Sequence, residues 1–155
     1  ASTGSARTEV LAAFAAVGPM TQLAAPAAVR GDFSDASYVF DGVPSRLASL
    51  AGFAGCHQGY VTDLAEAWLA AQPQATLAQI EVFSCGPEPM LKATARLAKR
   101  FGLPCQVSLE EFMACAVGGC AGCAVPVVTE SGLAMKRVCV DGPVFDANAV
   151  FPPAA

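Results

Sequence analysis

Ile80-Glu81-Val82-Phe83-Ser84-Cys85-Gly86-Pro87-Glu88-Pro89-Met90-Leu91-Lys92 decides how this chain folds. Ile80–Cys85 is short and carries β-branched and aromatic side chains, which suits a strand. Gly86-Pro87-Glu88-Pro89 breaks it. From Met90 to Phe101 an approximate apolar stripe of Met90, Leu91, Ala95, Leu97, Ala98 and Phe101 predicts a helix, with Lys92, Arg96, Lys99 and Arg100 mainly opposite or at its edges. The basic residues near its end suit the helix dipole, and Gly102 is a natural residue to follow it. Pro104–Leu109 reads as the next strand. Upstream, Leu64–Ala71 predicts another helix, with Thr62 as its N-cap. Helix, strand, helix, strand in succession predicts an α/β fold: a parallel sheet flanked by helices. In such folds a strand end feeding a helix is a ligand-binding place, so Cys85, Gly86 and Pro87 are candidate cofactor-binding residues. Taken alone, the same tripeptide reads first as an ordinary turn.

Beyond the last of these strands stand Cys115-Ala116-Val117-Gly118-Gly119-Cys120-Ala121-Gly122-Cys123, with Cys139 about fifteen residues further on. This is C-x4-C-x2-C followed by one distant cysteine, the plant-type spacing for a [2Fe–2S] cluster. Two bridged irons take two thiolates each; a tight loop supplies three of them and another part of the fold the fourth. Gly118, Gly119 and Gly122 are expected to take positive φ and turn successive N–H groups inward as an anion-binding nest. Lys136 and Arg137 could add positive charge nearby, or could simply end a solvated strand. Zinc also takes four cysteines, but structural zinc sites favour two separated knuckles. A disulfide framework suits small secreted chains poor in apolar residues. Both remain alternatives to the cluster, and the spacing favours the cluster.

Composition narrows the classes further. Of 155 residues, 54% are apolar and 14% charged, which favours extensive burial over disorder. Much of the apolar share is alanine, which adds helix propensity more than core volume. No apolar run approaches the length of a membrane span. A net charge of −4 argues against a nucleic-acid partner. No signal-peptide pattern opens the chain, which begins Ala-Ser-Thr-Gly-Ser. Seven cysteines with a cluster motif fit a reducing cytoplasm better than an export route. No Ser/His/Asp or Cys/His pairing suggests hydrolysis, no P-loop is present, and no catalytic residue is assigned.

Three further stretches sharpen the picture: Tyr60-Val61-Thr62-Asp63-Leu64, Gln106-Val107-Ser108-Leu109-Glu110-Glu111-Phe112-Met113-Ala114-Cys115, and Lys136-Arg137-Val138-Cys139-Val140-Asp141-Gly142-Pro143-Val144-Phe145. With Cys85-Gly86-Pro87-Glu88-Pro89-Met90-Leu91, they resemble the C-terminal part of the electron transfer subunits of class 1B dihydroorotate dehydrogenases. Those subunits have a ferredoxin–NADP reductase-like nucleotide domain, and the small subunit of NADH-dependent ferredoxin:NADP oxidoreductase is related to them. The likeness is specific over about residues 59–150 and faint before that, where Ala6-Arg7-Thr8 echoes a G-A-R-T segment. It implies Cys115, Cys120, Cys123 and Cys139 as cluster ligands. It implies that Cys85 and Gly86 lie where a nicotinamide approaches a flavin. It also implies an accessory subunit of an oxidoreductase complex, passing electrons among NAD(P)H, FAD and a partner subunit.

There are departures. The family's N-terminal β-barrel, with its R-x-Y-S/T-like FAD-binding segment, has no counterpart here. Neither has the glycine-rich turn that opens the nucleotide domain, so any FAD or NAD(P) site in this chain is expected to be incomplete. Ala116 stands where the family usually has glycine, which puts the backbone angle there in question. The expected division is a partial nucleotide-binding-like domain over residues 1–103 and a small cluster-binding domain over 104–155. The chain is expected to be a fragment of a full reductase or a shortened subunit that keeps the cluster; a non-catalytic assembly subunit with a structural zinc is the alternative.

The remaining residues are less informative. Thr8 could cap a helix over Glu9–Val17 ended by Gly18-Pro19. Tyr38-Val39-Phe40 reads as a strand ended by Asp41-Gly42, and Leu47, Leu50 and Phe53 could line a short helix. A single histidine, His57, closes the Rieske option, which needs two. Cys56 and Cys105 read as buried thiols and Trp68 as packing. Glu110, Glu111 and Asp141 flank the cysteines, where they could lower a cluster's potential, form a docking rim, or merely be solvated.

Overall fold

The computed structural model describes residues 38–40, 43–46, 48–51 and 56–152. The chain divides into two units, Ala1–Thr76 and Leu77–Ala155. In the first, β1 (Tyr38–Phe40) and β2 (Val43–Ser45) form an antiparallel pair, and β3 (Ala48–Ser49) and β4 (His57–Gln58) a short parallel one. The strand expected at 38–40 is present. Leu50 lies in an exposed turn after β3, so Ala48–Leu50 does not form the start of the expected helix; Leu47 and Phe53 lie outside the described residues, as does the helix expected over Glu9–Val17.

The helix expected at 64–71 is α1 (Val61–Ala70), and it begins earlier than predicted. Tyr60 is its N-cap and Thr62 is already inside it. The Tyr60 N–H donates to Asp63 Oδ2 at 3.0 Å, so the carboxylate three residues in reaches back to the N-cap. A single turn, α2 (Gln74–Leu77), follows at the junction of the two units.

The second unit is built on β5 (Val82–Cys85), α3 (Glu88–Phe101) and β6 (Cys105–Ser108). β5 and β6 pair in parallel, as the alternation of strand and helix predicts. Pro89 sits in the first turn of α3, where its missing N–H costs nothing. Leu91, Ala95 and Ala98 make the buried stripe, with Thr94 and Leu97 beside it. Thr94 Oγ1 donates to the Met90 carbonyl at 3.0 Å, so its hydroxyl is buried without loss. Gly102 closes the helix with φ +67°, and the Leu103 N–H returns to the Ala98 carbonyl at 2.9 Å. Leu91 and Val107, 1% and 0% exposed, mark the centre of the helix–sheet core.

After β6 the chain makes the long cysteine-bearing loop and then a hairpin that the sequence reading did not anticipate, β7 (Ala124–Thr129) with β8 (Gly132–Arg137). Val125 and Val127 face inward, while Pro126, Val128, Leu133 and Met135 are exposed on the other face. A turn, α4 (Val138–Asp141), leads through Gly142-Pro143 to β9 (Val144–Asp146), which adds antiparallel to β6. The sheet order is therefore β5-β6-β9. α5 (Ala147–Val150) follows, capped by Asp146 Oδ1, which accepts from the N–H groups of Asn148 and Ala149. The cysteine loop hangs from the end of β6, as expected. The domain boundary expected at 103/104 falls between α3 and β6, inside this second unit. Among the described residues no helix is long and apolar enough to cross a membrane.

Candidate metal centre

Leu109 is the last buried residue before the loop, and its N–H donates to the Pro143 carbonyl at 3.0 Å. That bond fixes the start of the loop beside the segment that follows α4. From Glu110 to Gly122 the backbone forms neither helix nor strand. Its turns come partly from residues other than those expected. Gly118 has φ +78°, but the other two left-handed positions are Ala116 and Ala121, both at +55°. Gly119 and Gly122 do not take positive φ. Each of these alanines directly follows a cysteine, and the reversal bends the next N–H groups back toward that sulfur. The Cys120 N–H lies 3.4 Å from Cys115 Sγ, and the Gly122 N–H lies 3.4 Å from Cys120 Sγ. Alanine in this conformation costs about 1 kcal/mol per residue, which the sulfur-directed N–H groups must offset. Gly118 is needed as glycine: a Cβ there would stand 2.7 Å from Val140 Cγ2 and 3.2 Å from Arg137 Nη1.

The hairpin explains the long gap before the fourth cysteine. Its register pairs Ala124 with Arg137, so the chain returns beside the point where it left. The Val138 N–H then donates to the Cys123 carbonyl at 3.1 Å, and Val138 itself is 0% exposed. Cys139, the next residue, has its sulfur 3.3 Å from Cys123 Sγ, and its N–H lies 3.5 Å from the same sulfur. Arg137 secures both sides. Its Nη1 donates to the Gly118 carbonyl at 2.9 Å, its backbone N–H donates to Asp141 Oδ2 at 2.7 Å, and its Nε lies 3.6 Å from that carboxylate oxygen. Sequence reasoning left Arg137 between charge donor and solvated strand end. Its four-residue spacing from Asp141 was the available signal, but the partner carbonyl nineteen residues back was invisible.

These contacts favour thiolate at Cys115 and Cys123. N–H groups of Cys120, Val117 and Gly119 hold the Cys115 thiol well below its ordinary range, at about 6, with Cys120 contributing most. The Cys139 N–H lowers Cys123. Cys139 itself is raised, chiefly by its hydrogen bond with the Cys123 thiol, and the negative charges of Cys123 and Cys115 add to the effect. The Arg137 N–H holds the Asp141 carboxyl down. Among the described residues no three His, Cys, Asp or Glu side chains form a ready cage for one ion. The four thiols stand instead as two neighbouring pairs, Cys115 with Cys120 and Cys123 with Cys139. A donor set of paired soft sulfurs ringed by N–H groups suits an anionic, sulfur-ligated group with two metal atoms.

The second candidate lies at the C-terminal end of β5, beside the end of β6 from which the cysteine loop leaves. Cys85 ends β5 and is exposed, with Sγ 3.8 Å from Glu110 Oε1 at the start of the cysteine loop. Gly86 lines a cleft of about 310 Å³ together with Glu88, Lys92, Glu110, Glu111 and Phe151. Lys92 is paired with Glu88 at 2.6 Å and lies over the Phe151 ring. Of the remaining cysteines, Cys105 is 2% exposed and pushed up to about 11 by burial, whereas Cys56 is only half-buried, not fully buried as expected.

Residues 110–151 match the family described as the iron–sulfur cluster binding domain of dihydroorotate dehydrogenase B. Three curated relatives are named dihydroorotate dehydrogenase B (NAD(+)), electron transfer subunit. The one from Caldanaerobacter subterraneus is 52% identical over 69 residues, covering 44% of this chain and 28% of the relative. That from Geobacillus thermodenitrificans is 47% identical over 93 residues, 59% and 32% respectively. That from Clostridium perfringens is 35% identical over 125 residues, 77% and 45%. The chain thus spans less than half the length of each. A chain in a solved structure of NADH-dependent reduced ferredoxin–NADP oxidoreductase, described for flavin-based electron bifurcation, aligns at TM-score 0.53 and 31% identity over 70% of this chain and 35% of its own. The expected α/β, ferredoxin–NADP reductase-like class therefore holds. The chain is thus similar to the dihydroorotate dehydrogenase B electron transfer subunits over part of their length, and its residues 110–151 match the model of their iron–sulfur cluster binding domain.

Proposed function

We propose that Cys115, Cys120, Cys123 and Cys139 hold a [2Fe–2S] cluster, and that the chain relays single electrons between a flavin or NAD(P)H site and a redox partner subunit. The observation that carries this reading is the pairing of the thiols: a remote cysteine is brought 3.3 Å from the third member of a C-x4-C-x2-C loop. Two thiolates per iron is the ligand count such a cluster needs. When bound, the cluster would supply one-electron uptake and release, which complements a flavin's two-electron chemistry. The chain's own residues do the rest. Backbone N–H groups of Cys120, Gly122 and Cys139 face the sulfurs and stabilise their negative charge. Val138 and the hairpin fix the fourth cysteine. Phe112 and Val117, 92% and 81% exposed, leave the loop's edge apolar and open to a protein partner.

Cys85, Gly86 and Pro87 are the residues we assign to the approach of a nicotinamide or flavin ring. Glu88, Glu110 and Glu111 make the adjoining cleft acidic, and its lysine is already paired. A neutral or cationic ring suits that edge; a pyrophosphate does not. The phosphate-binding part of a dinucleotide site would come from elsewhere, so a complete FAD or NAD(P) site requires further protein. Residues 104–155 would then form the cluster-holding part and the β5–α3 strand–helix step the remnant of a nucleotide domain, in a cytoplasmic complex.

The test is metal analysis of the purified chain. A red-brown protein with about two irons and two acid-labile sulfides per chain, and an electron paramagnetic resonance signal on reduction, supports the relay. A colourless protein with one zinc overturns it and leaves the assembly-subunit reading.

A further inference from the structure

We infer that Arg137 is a positioning residue that aims the cysteine loop's backbone at the sulfurs and raises the potential of the group they hold. This rests on the cluster reading above. The Arg137 guanidinium donates to the Gly118 carbonyl at 2.9 Å. That carbonyl belongs to the same peptide unit as the Gly119 N–H, and the two groups of a planar trans peptide point in opposite directions. Holding the oxygen toward Arg137 turns the Gly119 N–H away from the guanidinium and into the turn whose next N–H, that of Cys120, lies 3.4 Å from Cys115 Sγ. The bond also polarises the peptide, so the N–H becomes a stronger donor.

The guanidinium is not free to swing. Asp141 Oδ2 accepts the Arg137 backbone N–H at 2.7 Å and lies 3.6 Å from its Nε, within one turn that also contains Cys139. Arg137 therefore ties the turn bearing the fourth cysteine to the loop bearing the first three. Gly118 is bare where the guanidinium passes, since a Cβ would stand 3.2 Å from Nη1. A fixed positive charge beside an anionic group favours its reduced, more negative state, so its removal lowers the potential. The planar fork serves the carbonyl and the carboxylate together; a lysine ammonium keeps the charge and loses the fork.

The experiment uses the full chain with its cluster, comparing wild type with Arg137→Gln, Arg137→Lys and Asp141→Asn. The readouts are the midpoint potential, from an optical or resonance-monitored titration, and the rate of bleaching by a metal chelator. Arg137→Gln should shift the potential negative and bleach several-fold faster. Arg137→Lys should recover most of the potential but not the bleaching rate. Asp141→Asn should bleach faster without a negative shift, because it loosens the brace while removing a negative charge. Unchanged potential and bleaching in Arg137→Gln overturn the proposal, as does a potential that Arg137→Lys fails to recover. If Arg137→Gln does not fold, Asp141→Asn decides alone: faster bleaching supports the brace, and an unchanged rate overturns it. A wild-type chain without iron and sulfide overturns the cluster reading and this inference with it; a loaded wild type with an inert Arg137→Gln overturns only this inference.

Discussion

The β5–α3–β6 segment and the cysteine loop that leaves it are held by different forces. In the first, Leu91, Ala95, Leu97, Ala98, Cys105 and Val107 are all under a tenth exposed, and the helix is closed at both ends by local rules. Apolar burial stabilises it, with no need of a bound group. Between Glu110 and Gly122 only Cys115 and Gly118 are even partly covered. The bonds described there run from N–H groups to sulfur and from Arg137 to a carbonyl. The contrast teaches that polar contacts to sulfur and to one arginine shape the loop, while apolar burial shapes the α/β segment.

The sharpest way to break that comparison is Cys123→Ser. It should abolish most iron binding, read as metal content and visible absorption, while the helical circular dichroism of α3 persists. If the helix is lost too, the two regions are not energetically separate. Leu91→Ala attacks the other side. It should cost about 2–5 kcal/mol in denaturant unfolding, yet the fraction that remains folded should keep its iron. Smaller effects sharpen the picture of the loop. Ala116→Gly or Ala121→Gly should relieve about 1 kcal/mol of left-handed strain, partly offset by glycine's added freedom. The result should be slightly slower metal release to a chelator, and faster release would show that the alanine methyls are packed.

The smallest expected effect concerns pH. Burial, with the Asp146 charge adding, pushes the Cys105 thiol up to about 11. Its folded value lies above its unfolded one, so the stability from the neutral thiol is complete below about 9 and is lost as pH rises through about 11. Stability against unfolding, followed by the helical signal between those limits, should fall in wild type and less so in Cys105→Ala. At neutral pH an alkylating reagent should modify exposed Cys85 and spare Cys105.

Much of the α/β segment was legible because its rules are local. The strand before Gly86, the apolar stripe of α3 and the left-handed Gly102 all follow from residues within a few positions of one another. α1 was legible except for its first turn, where the Asp63 carboxylate accepts the Tyr60 N–H and the helix starts before Thr62. The four cysteines stood out through spacing alone. Hidden from the sequence were the β7–β8 hairpin and the antiparallel β9, which has only three residues and gains its identity from pairing with β6. The left-handed Ala121 was hidden as well, because glycine is the default for such angles; Ala116, standing where the family usually has glycine, keeps a glycine-like angle.

What the chain's order of residues settled unaided is chemical and local: which side chains can ligate soft metal, where one helix and its strands begin and end, and which way the parallel pair runs. Those depend on side-chain type and on interactions a few residues long. Folding in three dimensions decided which thiols become neighbours and what braces them. Cys139 meets Cys123, and Arg137 meets Gly118, because a hairpin's hydrogen-bond register returns the chain to its starting point, and register is a property of paired strands that neither strand carries alone.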